Sequence, residues 1–199
     1  MLELSPRLRA MNTPAHLIMG AAAFGKPLEA QVTWAALLGA TLPDLSLYLL
    51  AGWHLLVLGT SPDIVFGQLY FSEAWQRVFA VDNSFVLWGI ALGLALWLRS
   101  GWAIALSGAA LLHIAFDFPL HNEDARMHFW PLTDWKFFSP ISYWDSASGA
   151  QVVGVIELGL VLVLTAYLLW RYHSWLWRAG FLLLASLQVV PFFAWYVFF

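Results

Sequence analysis

Imidazole and carboxylate side chains are concentrated between residues 113 and 128 of a chain that is otherwise strongly apolar. Three of the six histidines lie there, with three carboxylates and an arginine, in the segment HIAFDFPLHNEDARMH. His113 and Asp117 are spaced i, i+4, so a helix through them places both side chains on one face. Pro119 disfavours continuation of that helix, which places His121 just after its end. Imidazole nitrogens and carboxylate oxygens are ligands of Zn²⁺ and other divalent ions, so this segment predicts a metal site.

Two residues distant in sequence join the predicted ligand set. His16 follows Thr13-Pro14 at the start of an apolar run, and Asp44 follows Pro43 between two apolar runs. The predicted metal ligands are His16, Asp44, His113, Asp117 and His121. Each has a simpler interpretation. His16 is then an interfacial histidine, Asp44 caps a helix, and His113 and Asp117 hydrogen bond each other to satisfy burial.

The polar residues after His121 offer groups for catalysis beside a metal ion. Glu123 or Asp124 is predicted to be the general base, and Arg126 or His128 to steady the leaving or oxyanionic group. A guanidinium also pairs well with a phosphate. The simpler interpretations are solvated loop acids for Glu123 and Asp124 and a surface salt bridge for Arg126. Glu157, alone in a later apolar run, is expected either to hydrogen bond a ligating histidine or to join two helices.

The composition is that of an integral membrane protein. Of the 199 residues, 61% are hydrophobic and only 11% are charged, whereas soluble domains carry roughly 25% charged residues. The length favours one integral-membrane domain, residues 1–199. The net charge of −3 is too small and too dispersed to indicate nucleic-acid binding. Because the chain has no cysteine, a metal must be held by His, Asp, Glu and water.

The apolar runs predict an all-α polytopic bundle with about five hydrophobic spans, some of them short or broken. The runs are residues 15–24, 32–42, 45–58, 84–98, 102–118, 151–170 and 180–199. Pro43-Asp44 is expected to interrupt the helical pattern in the first third of the chain. An interfacial helix is predicted at 63–79, and residues 121–149 form a long polar loop.

The basic turns predict where the spans begin and end. If the turns at Lys26, Arg99 and 171–178 share one side of the membrane, the predicted ligands and the polar loop all lie on the other side. All candidate ligands then converge at one end of the bundle. Basic residues in short loops favour the cytoplasmic side, so the site is expected to face outward.

Short motifs in the first two thirds of the chain resemble those of a known family. They are NTPAHLIMG at 12–20, GATLPDL at 39–45 and the pair His113-x-x-x-Asp117, followed by HFWPL at 128–132 and SPISYWD at 139–145. These stretches resemble the YdjM-like bacterial inner-membrane proteins, which are described as membrane-bound metal-dependent hydrolases.

The resemblance implies a helical core, a distant relationship to zinc-dependent phospholipase C, and hydrolysis of a phosphoester such as a lipid-linked substrate. By this resemblance, the five predicted ligands correspond to the family's metal ligands or to residues that support those ligands. Two positions depart from the family pattern. Ser46 stands where a second acid often follows, and Asp82-Asn83-Ser84 stands where a His-Ser pair often precedes a later span. Both departures argue against a site with several metals.

Three functions are compatible with these residues. A metal-dependent hydrolase of the bacterial inner membrane would hold a divalent ion, Zn²⁺ by preference, and act on membrane lipid or on a lipid-linked or phosphorylated small molecule. An ion, proton or metal transporter would bind its cargo at the same cluster, and predicts polar residues continuing through the bundle. Glu157 and Gln188 are the candidates for such a path. A membrane assembly protein would use the cluster only to hold its helices together, with every polar group hydrogen bonded.

Overall fold

Helices joined by short turns and one long loop make up the fold. A computed structural model describes residues 13–143 and 145–198, with the side chains of all of these except 146 and 190–198. The helices are α1 (Thr13–Phe24), α2 (Ala30–Gly52), α3 (Pro62–Ile64), α4 (Glu73–Asp82), α5 (Phe85–Trp97), α6 (Gly101–Asp117), α7 (Ala150–Arg171) and α8 (Trp175–Phe198). No strand occurs among the described residues.

Four helical stretches in the described part of the chain are long and apolar enough to cross a membrane. They are Ala30–Val57, Glu73–Trp97, Gly101–Leu120 and Ala150–Arg171, and α8 adds a shorter apolar segment at Trp175–Val189. The 12 residues of α1 fall short of the roughly 20 that a span requires. The prediction of an all-α polytopic bundle is confirmed.

The expected interruption at Pro43 is wrong, because α2 continues through that residue. A proline inside a helix lacks the N–H that would bond the carbonyl of the fourth preceding residue, here Gly39. The backbone from Pro43 onward makes bonds to the residues that end α4. The Ser46 N–H donates to Asp82 Oδ2 at 3.2 Å, and Asn83 Nδ2 donates to the Pro43 carbonyl oxygen at 2.8 Å. Asp44 therefore lies inside α2 and caps no new helix.

The predicted single helix at 63–79 is also wrong. The short α3 passes into a π-helical turn at Val65–Leu69, and α4 begins only at Glu73. Ser72 separates the two pieces, since its hydroxyl oxygen accepts from the Trp75 N–H and caps α4. Ser84 caps α5 in the same way through the Leu87 N–H.

Small residues bring α2 and α6 into close contact. Buried alanines from both helices, among them Ala36, Ala40 and Ala109, pack together in one cluster. At Gly39 the approach is closest, because a Cβ there would lie 2.0 Å from the Leu106 carbonyl oxygen. Small residues at such positions allow helix backbones to approach in membranes. The Ala40 carbonyl is thereby placed beside α6.

The short α1 is enclosed by longer helices. It packs against α2, α6, α7 and α8, and Ile18 on α1 is completely buried. At the far end of α2 from Asp44, Thr33 and Tyr172 share a hydrogen bond of 2.9 Å that ties α2 to the end of α7. This packing holds α1 in the bundle and carries His16 into its interior.

Candidate metal centre

The five side chains predicted as metal ligands meet at one end of the bundle, around Asp117. His16 Nε2 lies 3.0 Å from Asp117 Oδ1, and His113 Nε2 lies 3.1 Å from Asp117 Oδ2. His121 Nε2 is 3.3 Å from the same Oδ2, and Asp44 Oδ2 is 3.7 Å from His113 Nε2. Four separate parts of the chain contribute these groups: α1, α2, α6 and the residues after α6.

His113 is held in one orientation by the backbone of α2. Its Nδ1 lies 2.7 Å from the Ala40 carbonyl oxygen, to which it donates a hydrogen bond. The neutral ring then carries its proton on Nδ1, so Nε2 has a free lone pair. That Nε2 is fully buried and makes no well-aligned hydrogen bond, although carboxylate oxygens of Asp44 and Asp117 lie close to it. An imidazole fixed through one nitrogen and open at the other is the usual arrangement of a metal ligand.

His121 is oriented by Asp124, three residues later. Its Nδ1 lies 2.6 Å from Asp124 Oδ2, which leaves Nε2 directed at Asp117. Burial disfavours the charged ring, but the Asp124 and Asp117 carboxylates outweigh it and raise the pKa of His121 to about 10. Burial opposes ionisation of Asp124 too, yet His121 holds the pKa of that carboxyl below its usual range. Asp124 is therefore the partner of a histidine and is not a free base.

Two tyrosines that sequence reasoning did not assign support the carboxylates. The Tyr48 hydroxyl donates to Asp44 Oδ2 at 3.2 Å and shares a hydrogen bond with Thr13. The Tyr143 hydroxyl donates to Asp117 Oδ1 at 3.2 Å. Tyr48 follows Asp44 by four residues on one helix, a spacing that was readable from the sequence. The long loop returns Tyr143 to the end of α6, where the Tyr143 N–H donates to the Leu120 carbonyl. No local sequence spacing indicates that Tyr143 lies near Asp117.

The cluster holds more negative than fixed positive charge. Asp44, Asp117 and Asp124 bring three carboxylates, all mostly buried. Among the described residues Arg126 is the nearest guanidinium, with Nη2 at 4.0 Å from Asp44 Oδ1. Burying an uncompensated carboxylate costs several kcal/mol or more. Within the described part of the chain, the remaining negative charge is therefore balanced by protonated histidines or by a bound cation.

The stacking of two histidines limits how much positive charge the histidines can supply. The His16 and His113 rings are parallel within 18° and their centroids lie 3.8 Å apart. Two imidazolium rings at that distance would repel strongly in a buried site, so at most one of the two is charged. A divalent ion would balance the carboxylates with both rings uncharged.

The donor separations also fit a small divalent ion. Ligand atoms of His16, His113 and Asp117 all lie within 4.8 Å of one another. Tetrahedral zinc with bonds of about 2.0–2.2 Å has ligand atoms about 3.3–3.6 Å apart. The nitrogen–oxygen distances of 3.0 and 3.1 Å from His16 and His113 to Asp117 are close to that spacing, whereas His121 and Asp44 lie outside this three-residue group. The described residues therefore include a group, His16, His113 and Asp117, that fits a metal ion. The geometry does not identify which metal.

Arg126 is buried beside this cluster, which excludes a surface salt bridge. Only 3% of its surface is exposed. The guanidinium carbon lies 4.7 Å from the centre of the Phe79 ring and 5.7 Å from that of Tyr70. Its Nε and Nη1 atoms are buried and have no hydrogen-bond partner in the described part of the chain. Burial lowers the pKa of Arg126, but Tyr70 and the carboxylates of the cluster outweigh burial and raise that pKa above its usual value.

His128 is buried two residues beyond Arg126. Its Nδ1 donates to the Arg126 carbonyl oxygen at 3.0 Å, and no described residue hydrogen bonds its Nε2. Phe85 and Phe118 flank the ring. Burial lowers the pKa of His128 to about 4, assisted by the positive charges of His121 and Arg126. The ring is therefore neutral at physiological pH.

Three other acids of the sequence stand apart from the cluster. Glu123 is exposed, and no described residue pairs with it. Asp145 caps the short helical turn that follows it, accepting from the Ala147 N–H at 2.9 Å. Glu157 is half-buried on α7 and makes no hydrogen bond with the described residues, so neither of its two predicted interactions is present there. Asn12 and Trp144, which belong to the family motifs, lie outside the described residues.

Compared with known proteins, the chain matches no family model, no curated protein and no solved structure. The resemblance of its short motifs to the YdjM-like family therefore stays a prediction, and the function is argued from the site itself.

Proposed function

We propose that the protein is a membrane-embedded metal-dependent hydrolase that acts on a phosphoester. His16, His113, Asp117 and His121 would hold the ion, with Zn²⁺ preferred for a set of imidazoles and a carboxylate. The observation that carries the proposal is His113. Its Nδ1 is tied to the Ala40 carbonyl and its buried Nε2 faces carboxylates without a well-aligned hydrogen bond.

In the proposed reaction each residue near the ion has a separate role. A bound divalent ion would supply a water of lowered pKa and would polarise the scissile group. Asp124 and the Ala40 carbonyl orient the two ligating histidines. Asp44, whose oxygens lie 3.7 Å from His113 and 4.0 Å from Arg126, is the carboxylate best placed to take a proton from the attacking water. Arg126 and His128 would steady the oxyanionic and leaving groups, whereas the exposed Glu123 is too poorly placed to serve as base.

The site supports hydrolysis better than the two alternatives. A purely structural cluster would satisfy its polar atoms, yet His16 Nδ1, His128 Nε2 and two nitrogens of Arg126 have no hydrogen-bond partner among the described residues, and His113 Nε2 makes no well-aligned hydrogen bond. A transport path would continue through the bundle. Below the cluster the interior is instead filled by fully buried apolar residues such as Ile18, Ala36 and Ala109.

We propose the bacterial inner membrane as the location, with the site on the outer side. Lys26 and Arg99 lie in short turns at the opposite end of the bundle, as do Arg171 and Arg178 at the α7–α8 connection. Basic residues in short loops favour the cytoplasmic side of a membrane.

Hydrolysis of a chromogenic phosphodiester by detergent-purified protein tests the proposal. We expect EDTA to abolish turnover and added Zn²⁺ or Mn²⁺ to restore it. His113→Ala and Asp117→Asn should lower turnover by more than about 100-fold, since even outer-shell changes at metal sites cost 10–100-fold. His173→Ala, at an exposed histidine near the other end of the bundle, is the matched control. Turnover that survives EDTA, or that His173→Ala reduces equally, would contradict the proposal.

A further inference from the structure

The groups that would meet a substrate are closed to solvent in this structure. His113 is 1% exposed, His128 2% and Arg126 3%. Two Arg126 nitrogens and His128 Nε2 are buried atoms that no described residue hydrogen bonds. A substrate therefore reaches them only if a segment that covers them moves.

Residues 131–138 of the long loop form a strap that is bound to α4 at one point. Lys136 Nζ donates to Gln76 Oε1 at 2.8 Å. Gln76 precedes Phe79 by three residues, so both lie on one face of α4, and the Phe79 ring centre lies 4.7 Å from the Arg126 guanidinium carbon. Burial and the nearby charge of Arg126 lower the pKa of Lys136, which agrees with this placement. The strap therefore passes beside Arg126.

The next residue of the strap reaches the end of α6. The Phe137 ring stacks on Phe118, with centroids 5.0 Å apart and planes within 23°. Phe118 in turn meets the His128 ring edge-on, with centroids 5.3 Å apart. Two consecutive strap residues thus bridge α4 and the residues after α6, on the side of the metal centre that Arg126 and His128 occupy.

The strap is tied firmly at its ends and weakly between them. The Trp130 carbonyl accepts from the Ser84 hydroxyl, and the Ser139 N–H donates to the His121 carbonyl at 3.0 Å. Between these ends, the bond made by Lys136 is the only side-chain hydrogen bond from the strap to a helix among the described residues. Three apolar side chains of the strap stay exposed: Leu132, Trp135 and Phe138. Segments with so few buried contacts open locally without unfolding of the core.

We propose that the strap is a gate over the side of the metal centre that Arg126 and His128 occupy, and that the Lys136–Gln76 hydrogen bond is its latch. Opening breaks the latch and lifts Phe137 away, while the anchored ends hold the rest of the loop in place. The inference rests on the proposed function only in calling the incoming molecule a substrate, because the gate limits access of any molecule to these groups.

Modification of histidines by diethyl pyrocarbonate tests the gate without requiring turnover. The reagent attacks neutral imidazole nitrogens, and His128 is neutral at physiological pH, with an Nε2 that no described residue hydrogen bonds. We expect slow modification of His128 in the wild type. In Lys136→Met it should be at least about 5-fold faster, as expected for the loss of one hydrogen bond. Lys136→Arg keeps a donor and should stay near the wild-type rate. Peptide mass spectrometry measures each site separately.

Two other histidines are internal controls in the same experiment. His173 is exposed near the opposite end of the bundle and should react equally fast in all variants. His16 is buried on α1, stacked on His113, and reports general loosening of the bundle. No acceleration at His128 in Lys136→Met, or equal acceleration at His16 and His128, would overturn the proposal.

Locking the strap tests whether the gate controls the chemistry. Because the chain has no cysteine, Lys136→Cys combined with Gln76→Cys can be joined selectively by a short bismaleimide. We expect the linked protein to lose both His128 modification and phosphodiester turnover, and the unlinked double variant to keep both. Each single cysteine variant, treated with the reagent, is the control.

The outcomes separate the gate from the proposed function. Phosphodiester turnover at the wild-type rate in the linked protein would overturn the gate and leave the proposed function standing. Latch-dependent exposure of His128 in a protein that does not hydrolyse the phosphodiester would support the gate and contradict the proposed function instead.

Discussion

His113 donates its Nδ1–H to the carbonyl oxygen of Ala40, 2.7 Å away, and this hydrogen bond couples the candidate metal centre to the packing of α2 against α6. The carbonyl lies within reach because small residues let the two helix backbones approach each other. The orientation of a candidate ligand therefore depends on residues that have no polar side chain.

Gly39→Ala is the sharpest test of that coupling. Its Cβ would lie 2.0 Å from the Leu106 carbonyl oxygen, which is backbone and has no rotamer to move. We expect α2 and α6 to separate, with a loss of about 1–3 kcal/mol in the free energy of unfolding and weaker metal binding. Thermal unfolding in detergent and metal titration measure both effects. Gly89→Ala, where a Cβ meets nothing within 4 Å, is the control and should retain full metal binding.

Removing the Tyr143 hydroxyl should weaken the metal site without unfolding the protein. Tyr143→Phe deletes the hydrogen bond to Asp117 Oδ1, and partners of this kind typically contribute 10–100-fold to metal affinity or activity. Competition with a fluorescent zinc chelator gives the affinity. Tyr172→Phe removes a hydroxyl bonded to Thr33 at the other end of the bundle and should leave the affinity unchanged. Equal affinities of Tyr143→Phe and wild type would show that this hydroxyl does not support the site.

The fold and the membership of the cluster were predictable because the signals are local. Apolar runs long enough to span a bilayer indicated the helices, and the i, i+4 spacing of His113 and Asp117 placed both on one face. The alternation of basic turns and polar loops then placed His16 and Asp44 at the same end. The structure brings these residues together as the spacing predicts.

The errors arose where distant parts of the chain satisfy each other. Pro43 was expected to break α2, but α2 continues through it, and Asp82 and Asn83 bind the backbone from Pro43 to Ser46. Arg126 was compatible with a surface salt bridge, and only the tertiary packing shows it over the Phe79 ring. No local sequence pattern predicts such contacts between distant residues.

The support for the Pro43 region gives a prediction of its own. Asn83→Ala removes the side-chain donor to the Pro43 and Phe79 carbonyls, which costs about 1 kcal/mol per buried hydrogen bond, although the Phe79 carbonyl keeps its bond from the backbone N–H of residue 83. We expect a lower unfolding temperature and, because Asp44 is adjacent, reduced turnover. Asn122→Ala, whose amide makes only a long 3.5 Å contact with Ser148, should be close to wild type. A stability loss in Asn122→Ala as large as that in Asn83→Ala would contradict this account.

The pairing of His121 with Asp124 predicts a pH dependence in metal-free protein. The folded-state pKa of about 10 exceeds the unfolded value of about 6.5, so the pair stabilises the fold fully below pH 6.5 and loses this contribution as the pH rises through 10. The free energy of unfolding should fall by roughly a few kcal/mol across that window. Asp124→Asn should flatten the dependence. The same slope in wild type and Asp124→Asn would show that another group titrates.

The metal content of detergent-purified protein tests the central claim most directly. Elemental mass spectrometry of wild type, His113→Ala, Asp117→Asn and the control His173→Ala should find close to one zinc or manganese per chain in the wild type and the control. The two cluster variants should contain almost none. Folded wild-type protein that stays metal-free after incubation with Zn²⁺ and Mn²⁺ would contradict the account.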